Sequence, residues 1–430
     1  MSPRTPTART ILCSIAVILI AAIVGIWTFA VLLGTSTSIR DSYGAMSRDV
    51  AETNDFPMFY TAGENVVSVE REHAYEKQFI VDSILRQWTN PESLEARELL
   101  PWLRYYNPPF YLFALSPLTF LDMHEAYVAT VAINLAALAA LLFLSGVTLK
   151  RKLGSVFFLS LTTFGYMPLV ATIYHGQPTL VIAALTLGAF LLAQKGRTTV
   201  ASLLVSLCAA KPQLAIAAAL PLLRDRPRAV VPLALIGAAI TLAPFAVLGA
   251  GAMADYFHLV SGRGGDDLAQ ADYASHVLSW PGFMVALTGS LQPVLSAALS
   301  LLTLVLLAII LRRGDRFLTW PASIVAILAV LPHSHPQDWM LTVPAAVIVL
   351  ARPMHPSVRV ATVGLLAVAY IAVNSWVFSS GIVYDGGRAL YAPTPMALVL
   401  LGWFAALPLV ERRLTVLTID RSLQPAASPA

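Results

Sequence analysis

Apolar residues dominate this chain in long unbroken blocks, and its polar positions fall in a few stretches between them. Most blocks approach or exceed the roughly 20 residues that an α-helix needs to cross a hydrocarbon core of about 30 Å. The pattern predicts an all-α polytopic membrane protein with about ten full spans and a few short or broken helices. The blocks cover residues 11–33, 124–148, 153–172, 177–194, 198–222, 228–250, 292–311, 316–333, 337–351, 357–378 and 394–410, and a shorter block covers 109–121.

Composition agrees with this pattern. Only 12% of the 430 residues are charged and 57% are hydrophobic, whereas soluble domains carry roughly 25% charged residues. We expect one integral domain over residues 1–421, followed by a disordered cytoplasmic tail over 422–430. The first block, 11–33, is longer than the apolar core of a signal peptide, so it is predicted to be an uncleaved first span.

The basic residues cluster in short connectors between blocks, which is typical of cytoplasmic loops. This distribution accounts for the formal charge of +4 and predicts a protein of the cell (inner) membrane with both termini cytoplasmic. It does not favour a nucleic-acid partner. The connectors are Lys150-Arg151-Lys152, Lys195-Gly196-Arg197, Arg224 to Arg228, Arg312 to Arg316, Arg352 to Arg359, and Glu411-Arg412-Arg413.

If every basic connector is cytoplasmic, two blocks cannot be simple spans. Residues 35–110 then form a large external loop, and 109–121 must be a half-helix that does not cross the membrane. Block 198–222 must turn back on itself, and Lys211-Pro212 is the expected break, because Pro favours the first turn of a helix and disfavours helix just before it. Residues 251–291 are predicted to be a second external loop.

This topology brings the unusual polar residues of the chain to the external face. We therefore expect any chemistry to occur there rather than among the basic connectors. The converging stretches are Asp55, Asn107-Pro108-Pro109, His175-Gly176-Gln177, Lys211, His258 to His276, His333 to Asp338, and Tyr384 to Arg388.

Several of these stretches also have a purely structural interpretation. Asp55 could cap the helix that begins near Pro57, and Asn107 could shape the chain before the half-helix. Gln177 could bond the backbone of a turn. His333-x-His335-x-x-Asp338 contains metal-ligating types, but Pro336 breaks helical spacing, so no metal site is predicted.

Lys211 is harder to explain structurally, because an ammonium within an apolar stretch is costly in a membrane. A lysine just before the first turn of a half-helix adds its charge to the positive end of the helix dipole. That combination predicts an anion site, and a lipid-linked phosphate is the expected anion at this depth.

Taken together, these stretches resemble the polyprenyl-phosphate-sugar-dependent glycosyltransferases of the GT-C type, and in particular glycosyltransferase family 87, which includes mannosyltransferases acting on phosphatidylinositol mannosides. The resemblance implies that the aspartate of the first external loop, Asp55, is the catalytic base. The residues that carry it are Asp55-Phe56 with Tyr60-x-Ala62-Gly63, Tyr106-Asn107-Pro108-Pro109, His175-Gly176-Gln177-Pro178-Thr179, Lys211-Pro212, and His333-Ser334-His335 with Asp338.

The resemblance also implies that a histidine of the late external loop helps to bind the donor phosphate together with Lys211. Pro336-Gln337 is inserted before Asp338 in this chain, so His333 and His335 are both candidates. The remaining residues of these stretches are expected to bind substrate: Tyr60, Tyr106, Asn107, His175, Gln177 and Asp338. The implied reaction transfers a mannose-like hexose from a polyprenyl-phosphate donor to a lipid or glycan acceptor, with no cofactor.

Other functions fit parts of the same pattern. Broken helices and intramembrane charges also occur in secondary transporters, although no internal repeat is evident here and transport does not explain a long external loop. A non-catalytic assembly subunit would need neither Asp55 nor Lys211. A lipid-linked sugar ligase or polymerase of another family is a further enzymatic alternative.

Overall fold

The computed structural model describes residues 55–87, 105–150, 159–160, 162–260, 277–313, 315–379 and 393–423, with four residue pairs between positions 12 and 24. Within these ranges all regular secondary structure is helical. This confirms the predicted all-α class. The predicted loop residues 261–276 and 384–388 lie outside the described residues, as do 35–54 and 88–104 of the first loop.

Where the described ranges are continuous, the helices mostly follow one another with short connections, several of them 3-10 turns. In the first half of the chain they are α1 (Phe56–Asn65), α2 (Lys77–Gln87), α3 (Pro109–Leu115), α4 (Met123–Thr148), α5 (Met167–Tyr174), α6 (Thr179–Gln194), α7 (Thr198–Leu207) and α8 (Pro212–Asp225). In the second half they are α9 (Val230–Leu248), α10 (Ala250–Val260), α11 (Trp280–Thr288), α12 (Pro293–Arg313), α13 (Arg316–Val330), α14 (Thr342–Ala351), α15 (Pro356–Ser379) and α16 (Pro393–Leu423).

The sequence predicts about ten full spans, but several of the helices are shorter than a full span. In the described part of the chain, five helices are long and apolar enough to cross a membrane: α4, α9, α12, α15 and α16. Other apolar blocks form shorter helices, among them α6, α13 and α14. Residues 251–291 are not simply a loop, because α10 and α11 occupy much of this region.

The predicted short helix and the predicted break at Lys211 are both present. The block at 109–121 forms the two-turn helix α3, which continues as a 3-10 helix over Ser116–Phe120. Block 198–222 is divided into α7 and α8, and Lys211 between them is extended, with φ −125° and ψ 97°. Its conformation follows from the proline at 212, which resists helix at the preceding residue.

The basic connectors meet at one end of the helix bundle, which we call the basic end. Arg226 donates hydrogen bonds of 3.0 and 2.8 Å to Ala193 O, joining the ends of α6 and α8. Arg352 links its own connector to two others through Asp315 and Glu411, each at 2.6 Å. The opposite end, which we call the site end, carries the turn before α6, the break at Lys211 and the turn after α13.

Two hydrophobic cores hold these helices together. The larger core packs α4 to α8 against α13 and α14, around Phe190 and Trp320. The smaller core joins α1 and α2 of the first loop to α3, α9 and α10, through rings that include Phe59, Tyr75 and Tyr105. The described part of the first loop is therefore packed against the bundle, and it holds Asp55 in place.

Candidate functional site

Asp55 lies at the start of α1, but it does not cap this helix. Its backbone is already helical, with φ −71° and ψ −14°, and its side chain makes no capping hydrogen bond. The carboxylate turns towards the connection between α5 and α6 instead. There Oδ2 accepts a hydrogen bond of 2.7 Å from Gln177 Nε2 and lies 3.4 Å from His175 Nδ1. The capping interpretation of Asp55 is therefore wrong.

The turn that presents these two partners depends on Gly176. Its φ of +61° is in the left-handed region, and a Cβ at this position would lie 2.8 Å from Phe56 Cδ2. Only glycine meets both conditions without strain. The Tyr127 hydroxyl is placed between the carbonyl oxygens of Ile173 and Tyr174, at 3.2 and 3.1 Å, and fixes the last turn of α5. Gly176 thus allows His175 and Gln177 to approach Asp55 directly.

The environment keeps Asp55 ionised. Burial raises the pKa of this carboxyl, but the neighbouring His175 and the hydrogen bond from Gln177 outweigh burial, and His335 contributes at longer range. The pKa of Asp55 consequently lies below its ordinary value. The side chain is still 33% exposed, so a second molecule can reach it.

Two buried polar atoms beside Asp55 make no hydrogen bond of good geometry among the described residues. His175 Nδ1 faces Asp55 Oδ2 at 3.4 Å, whereas Gln177 Oε1 has no partner there. Buried polar atoms are nearly always satisfied in folded proteins, so an exception at a site is a candidate ligand contact. The predicted substrate-binding residues His175 and Gln177 therefore contact Asp55, and the amide oxygen of Gln177 retains bonding capacity for another group.

Lys211 and Asp338 form a buried ion pair, which the sequence interpretation did not anticipate. Lys211 Nζ lies 2.6 Å from Asp338 Oδ1, and the two side chains are 8% and 0% exposed. The other oxygen of Asp338 accepts a hydrogen bond of 3.1 Å from the backbone N–H of His335. The sequence predicted Lys211 as the cation of an anion site and Asp338 as a substrate ligand. In the structure the two side chains neutralise each other, because a buried charge without a partner is strongly unfavourable.

The late histidines lie beside this ion pair. Burial lowers the pKa of His335 to about 4, since it outweighs the opposing effect of Asp338. The charges of Lys211 and Asp55 also act on the pKa of this ring. Burial likewise lowers the pKa of His333, whose ring packs 5.3 Å from that of Tyr106. Both histidines are therefore neutral near pH 7.

Asn107 and Tyr60 make structural contacts. Asn107 Nδ2 donates a hydrogen bond of 2.7 Å to Ala210 O, just before the break at Lys211. The Asn107 carbonyl accepts one of 2.8 Å from the Tyr75 hydroxyl. The Tyr60 hydroxyl donates to Leu121 O at 2.8 Å. These bonds tie the first loop and α3 to the rest of the site, which matches the structural interpretation of Asn107 made from the sequence.

Five of the predicted polar stretches thus converge: Asp55, 106–107, 175–177, Lys211 and 333–338. Sequence analysis missed Tyr75, which is visible only as one aromatic residue among many in the loop. Among the described residues, no group of three or more His, Cys, Asp or Glu side chains is arranged to hold a metal ion.

The comparison with protein families gives a match over this same region. The family model of glycosyltransferase family 87 matches residues 105–334, which is more than half of the chain. The protein belongs to glycosyltransferase family 87. No curated protein and no solved structure matches it.

Membership in family 87 makes this chain a membrane glycosyltransferase, which uses a sugar donor and an acceptor. It thereby favours the enzyme over the predicted alternative of a secondary transporter. The matched residues include the turn at 175–177, Lys211 and His333. Asp55, Tyr60, His335 and Asp338 lie outside the match, so their assignment depends on the geometry described above.

Proposed function

We propose that this family 87 protein transfers a mannose-like hexose from a polyprenyl-phosphate donor to a hydroxyl of a lipid or glycan acceptor, with Asp55 as the general base. The observation that carries the proposal is the orientation of Asp55. Its carboxylate turns away from the helix that it could cap and faces His175 and Gln177, and the amide oxygen of Gln177 has no partner among the described residues.

In the proposed step, the acceptor oxygen forms a bond to the anomeric carbon while the bond from that carbon to the phosphate oxygen breaks. The acceptor proton passes to Asp55, and the bonding electrons leave with the polyprenyl phosphate. Gln177 holds Oδ2, and Oδ1 accepts no hydrogen bond within the described residues. Oδ1 is therefore the oxygen that takes the proton.

A carboxylate with a lowered pKa is a weak base, so positioning must contribute much of the rate. An acceptor held at hydrogen-bond distance from Oδ1 gains the advantage of an intramolecular reaction. One base is sufficient, because the leaving phosphate needs no protonation by a second carboxylate, in contrast with a glycosidase.

The leaving phosphate gains a negative charge as the sugar departs, and donors placed beforehand would stabilise it. Lys211 can still contribute here, because an ammonium has three N–H donors and Asp338 uses one of them. The neutral ring of His335 can add a further donor beside it, and His333 with Tyr106 is the second candidate. The ion pair with Asp338 carries no net charge, so phosphate binding rests on directed hydrogen bonds.

The basic connectors at the opposite end of the bundle support an external position for this site, since such connectors are normally cytoplasmic. A lipid-linked donor fits a site within a membrane protein better than a soluble nucleotide sugar does.

The test is a transfer assay with the purified full-length protein and labelled mannose supplied either as polyprenyl-phosphate mannose or as GDP-mannose. We expect transfer to an extracted membrane glycolipid acceptor from the polyprenyl donor alone. Transfer from GDP-mannose at a similar rate would refute the donor class.

A further inference from the structure

A second candidate binding region lies inside the bundle, away from Asp55. It is a cavity of about 780 Å³ between the first apolar segment and α4, α14, α15 and α16. Its walls are mostly apolar, with residues such as Val347 and Leu400, and they also include several threonines and the rings of Tyr166 and Tyr370. A volume of this size is typical of small-molecule sites.

The cavity is elongated along the bundle. On α15 its lining residues run from Arg359 to Val373, which corresponds to about 21 Å of helix at a rise of 1.5 Å per residue. This length is about two thirds of the roughly 30 Å hydrocarbon core. A long, mostly apolar cavity that follows α15 fits an extended hydrocarbon chain better than a compact ligand.

The charged residues of the cavity lining, within the described part of the chain, lie at the basic end. Arg359 and Lys150 line it there. Arg359 Nε is buried and has no hydrogen-bond partner in the described part of the chain. Arg352, in the same connector, differs because two carboxylates neutralise it. Arg359 and Lys150 thus supply positive charge that the described residues do not compensate.

We propose that this cavity binds an anionic phospholipid of the cytoplasmic leaflet. One acyl chain would lie along α15, and the phosphate would accept hydrogen bonds from Arg359 and Lys150. Charge complementarity selects the anionic headgroup, and the position of the basic connectors selects the leaflet. The ligand is distinct from the sugar donor, whose phosphate is proposed to bind at the opposite end of the bundle beside Lys211.

The experiment is native mass spectrometry of the full-length protein released from nanodiscs that contain equal amounts of phosphatidylglycerol and phosphatidylcholine. We expect the unmodified protein to retain one phosphatidylglycerol. Ala367→Phe, which fills the cavity from α15, should lower retention at least fivefold. Ala361→Phe is the matched control, because Ala361 is an exposed residue of the same helix that does not line the cavity, and it should retain the lipid.

Arg359→Gln should keep a bound lipid but lose the preference for phosphatidylglycerol. Ala346→Leu, a smaller change in the opposite wall, replaces Ala367→Phe if that variant fails to fold. Equal retention by the cavity-filled and control variants would overturn the proposal. So would equal retention of the two phospholipids by the unmodified protein, or retention of added polyprenyl phosphate in their place. The readout does not involve sugar transfer, so it is independent of the proposed reaction.

Discussion

At the scale of single residues, the chemistry of this site depends on what surrounds two carboxylates. Asp338 is fully buried and bound to Lys211 and the His335 backbone, so it has little capacity to accept a proton from a substrate. Asp55 is partly exposed and held by one amide and one histidine. The two carboxylates therefore differ in function for a physical reason: one compensates a buried cation, and the other is accessible.

Gln177 can be tested as the residue that positions Asp55 and keeps it ionised. Gln177→Leu removes a hydrogen bond to the charged carboxylate, so it should raise the pKa of Asp55. A base with a raised pKa becomes protonated at a higher pH. The acid limb of the kcat/KM profile should therefore lie at a higher pH than in the parent protein. We also expect kcat near pH 7 to fall about tenfold from poorer positioning. The measurement is the pH profile of transfer.

Gln194→Leu is the control for this experiment, because Gln194 lies at the opposite end of α6 from Gln177, at the basic end. It should leave the profile unchanged. An acid limb that stays in place in Gln177→Leu would show that the amide does not control the ionisation of Asp55.

Lys211 can be tested in two functions at once, as the partner of Asp338 and as a ligand of the donor. Removing either partner alone leaves a buried unpaired charge, which costs about 3–5 kcal/mol, whereas replacing both by apolar residues is often neutral. Lys211→Met and Asp338→Leu should each lower the thermal stability strongly. The double variant should regain most of that stability.

The same double variant then reports on donor binding in a folded protein. We expect its KM for the polyprenyl-phosphate donor to rise about tenfold, which corresponds to about 1.4 kcal/mol, because the N–H donors of Lys211 are lost. A double variant that is stable and binds the donor normally would restrict Lys211 to a structural function.

At the scale of elements, short helices determine how deep the site lies. Helices α6, α8 and α13 contain 16, 14 and 15 residues, which gives them lengths of about 21 to 24 Å. Hydrogen bonds at the basic end hold α6 and α8 level with longer helices such as α12. Their other ends consequently do not extend as far along the bundle as the far end of α12, which favours a recessed site.

The turn between α5 and α6 offers a prediction with an internal control. Gly176→Ala and Gly196→Ala both place a Cβ at positive φ, but only at Gly176 does this atom meet a neighbour, Phe56, at 2.8 Å. Gly196→Ala should lose about 1–2 kcal/mol of stability and keep its activity. Gly176→Ala should be less stable and lose roughly a hundredfold in turnover, because displacing Phe56 moves the adjacent Asp55.

Thermal melting and the transfer assay together decide this prediction. Equal effects of the two glycine substitutions on both measurements would show that the contact between the turn and Phe56 does not position Asp55.

Local sequence patterns predict some features of this structure and not others. The break at Lys211 was predictable, because a proline and a charge interrupt an apolar block at the same place. The partner of Lys211 was not, since Asp338 is 127 residues away and no local pattern encodes that contact. Helices α10 and α11 were missed because the region between two spans was interpreted as a single loop. Asp55 was a predicted site residue, but the orientation of its side chain away from the helix N-terminus depends on Gln177, which lies in another element.

At the scale of the whole molecule, the two ends of the bundle divide the charged groups. The basic end contains the connectors and their ion pairs, whereas the site end contains His175, Asp55 and the buried pair of Lys211 and Asp338. This polarity is what the distribution of Lys and Arg predicts for a protein with a cytoplasmic basic face.

Cysteine labelling tests this orientation in a variant from which Cys13 and Cys208 have been removed. Ser290 lies in the exposed turn between α11 and α12, at the end of α12 opposite Arg313, and Gly196 lies in the exposed turn at the basic end. We expect Ser290→Cys to react with an impermeant maleimide in intact cells and Gly196→Cys to react only after permeabilisation. The reverse pattern would place the site on the cytoplasmic face.

The most direct test of the account is the turnover of purified Asp55→Asn with a polyprenyl-phosphate hexose donor and its glycolipid acceptor. The amide preserves the shape of the side chain but cannot accept a proton near pH 7. Transfer should therefore be abolished, while the melting temperature and the donor affinity stay close to those of the parent protein. Asp55→Glu should be nearly as inactive, because its longer side chain moves the carboxylate by about 1 Å or more. Turnover by folded Asp55→Asn within a few-fold of the parent protein would contradict the assignment of Asp55 as the base.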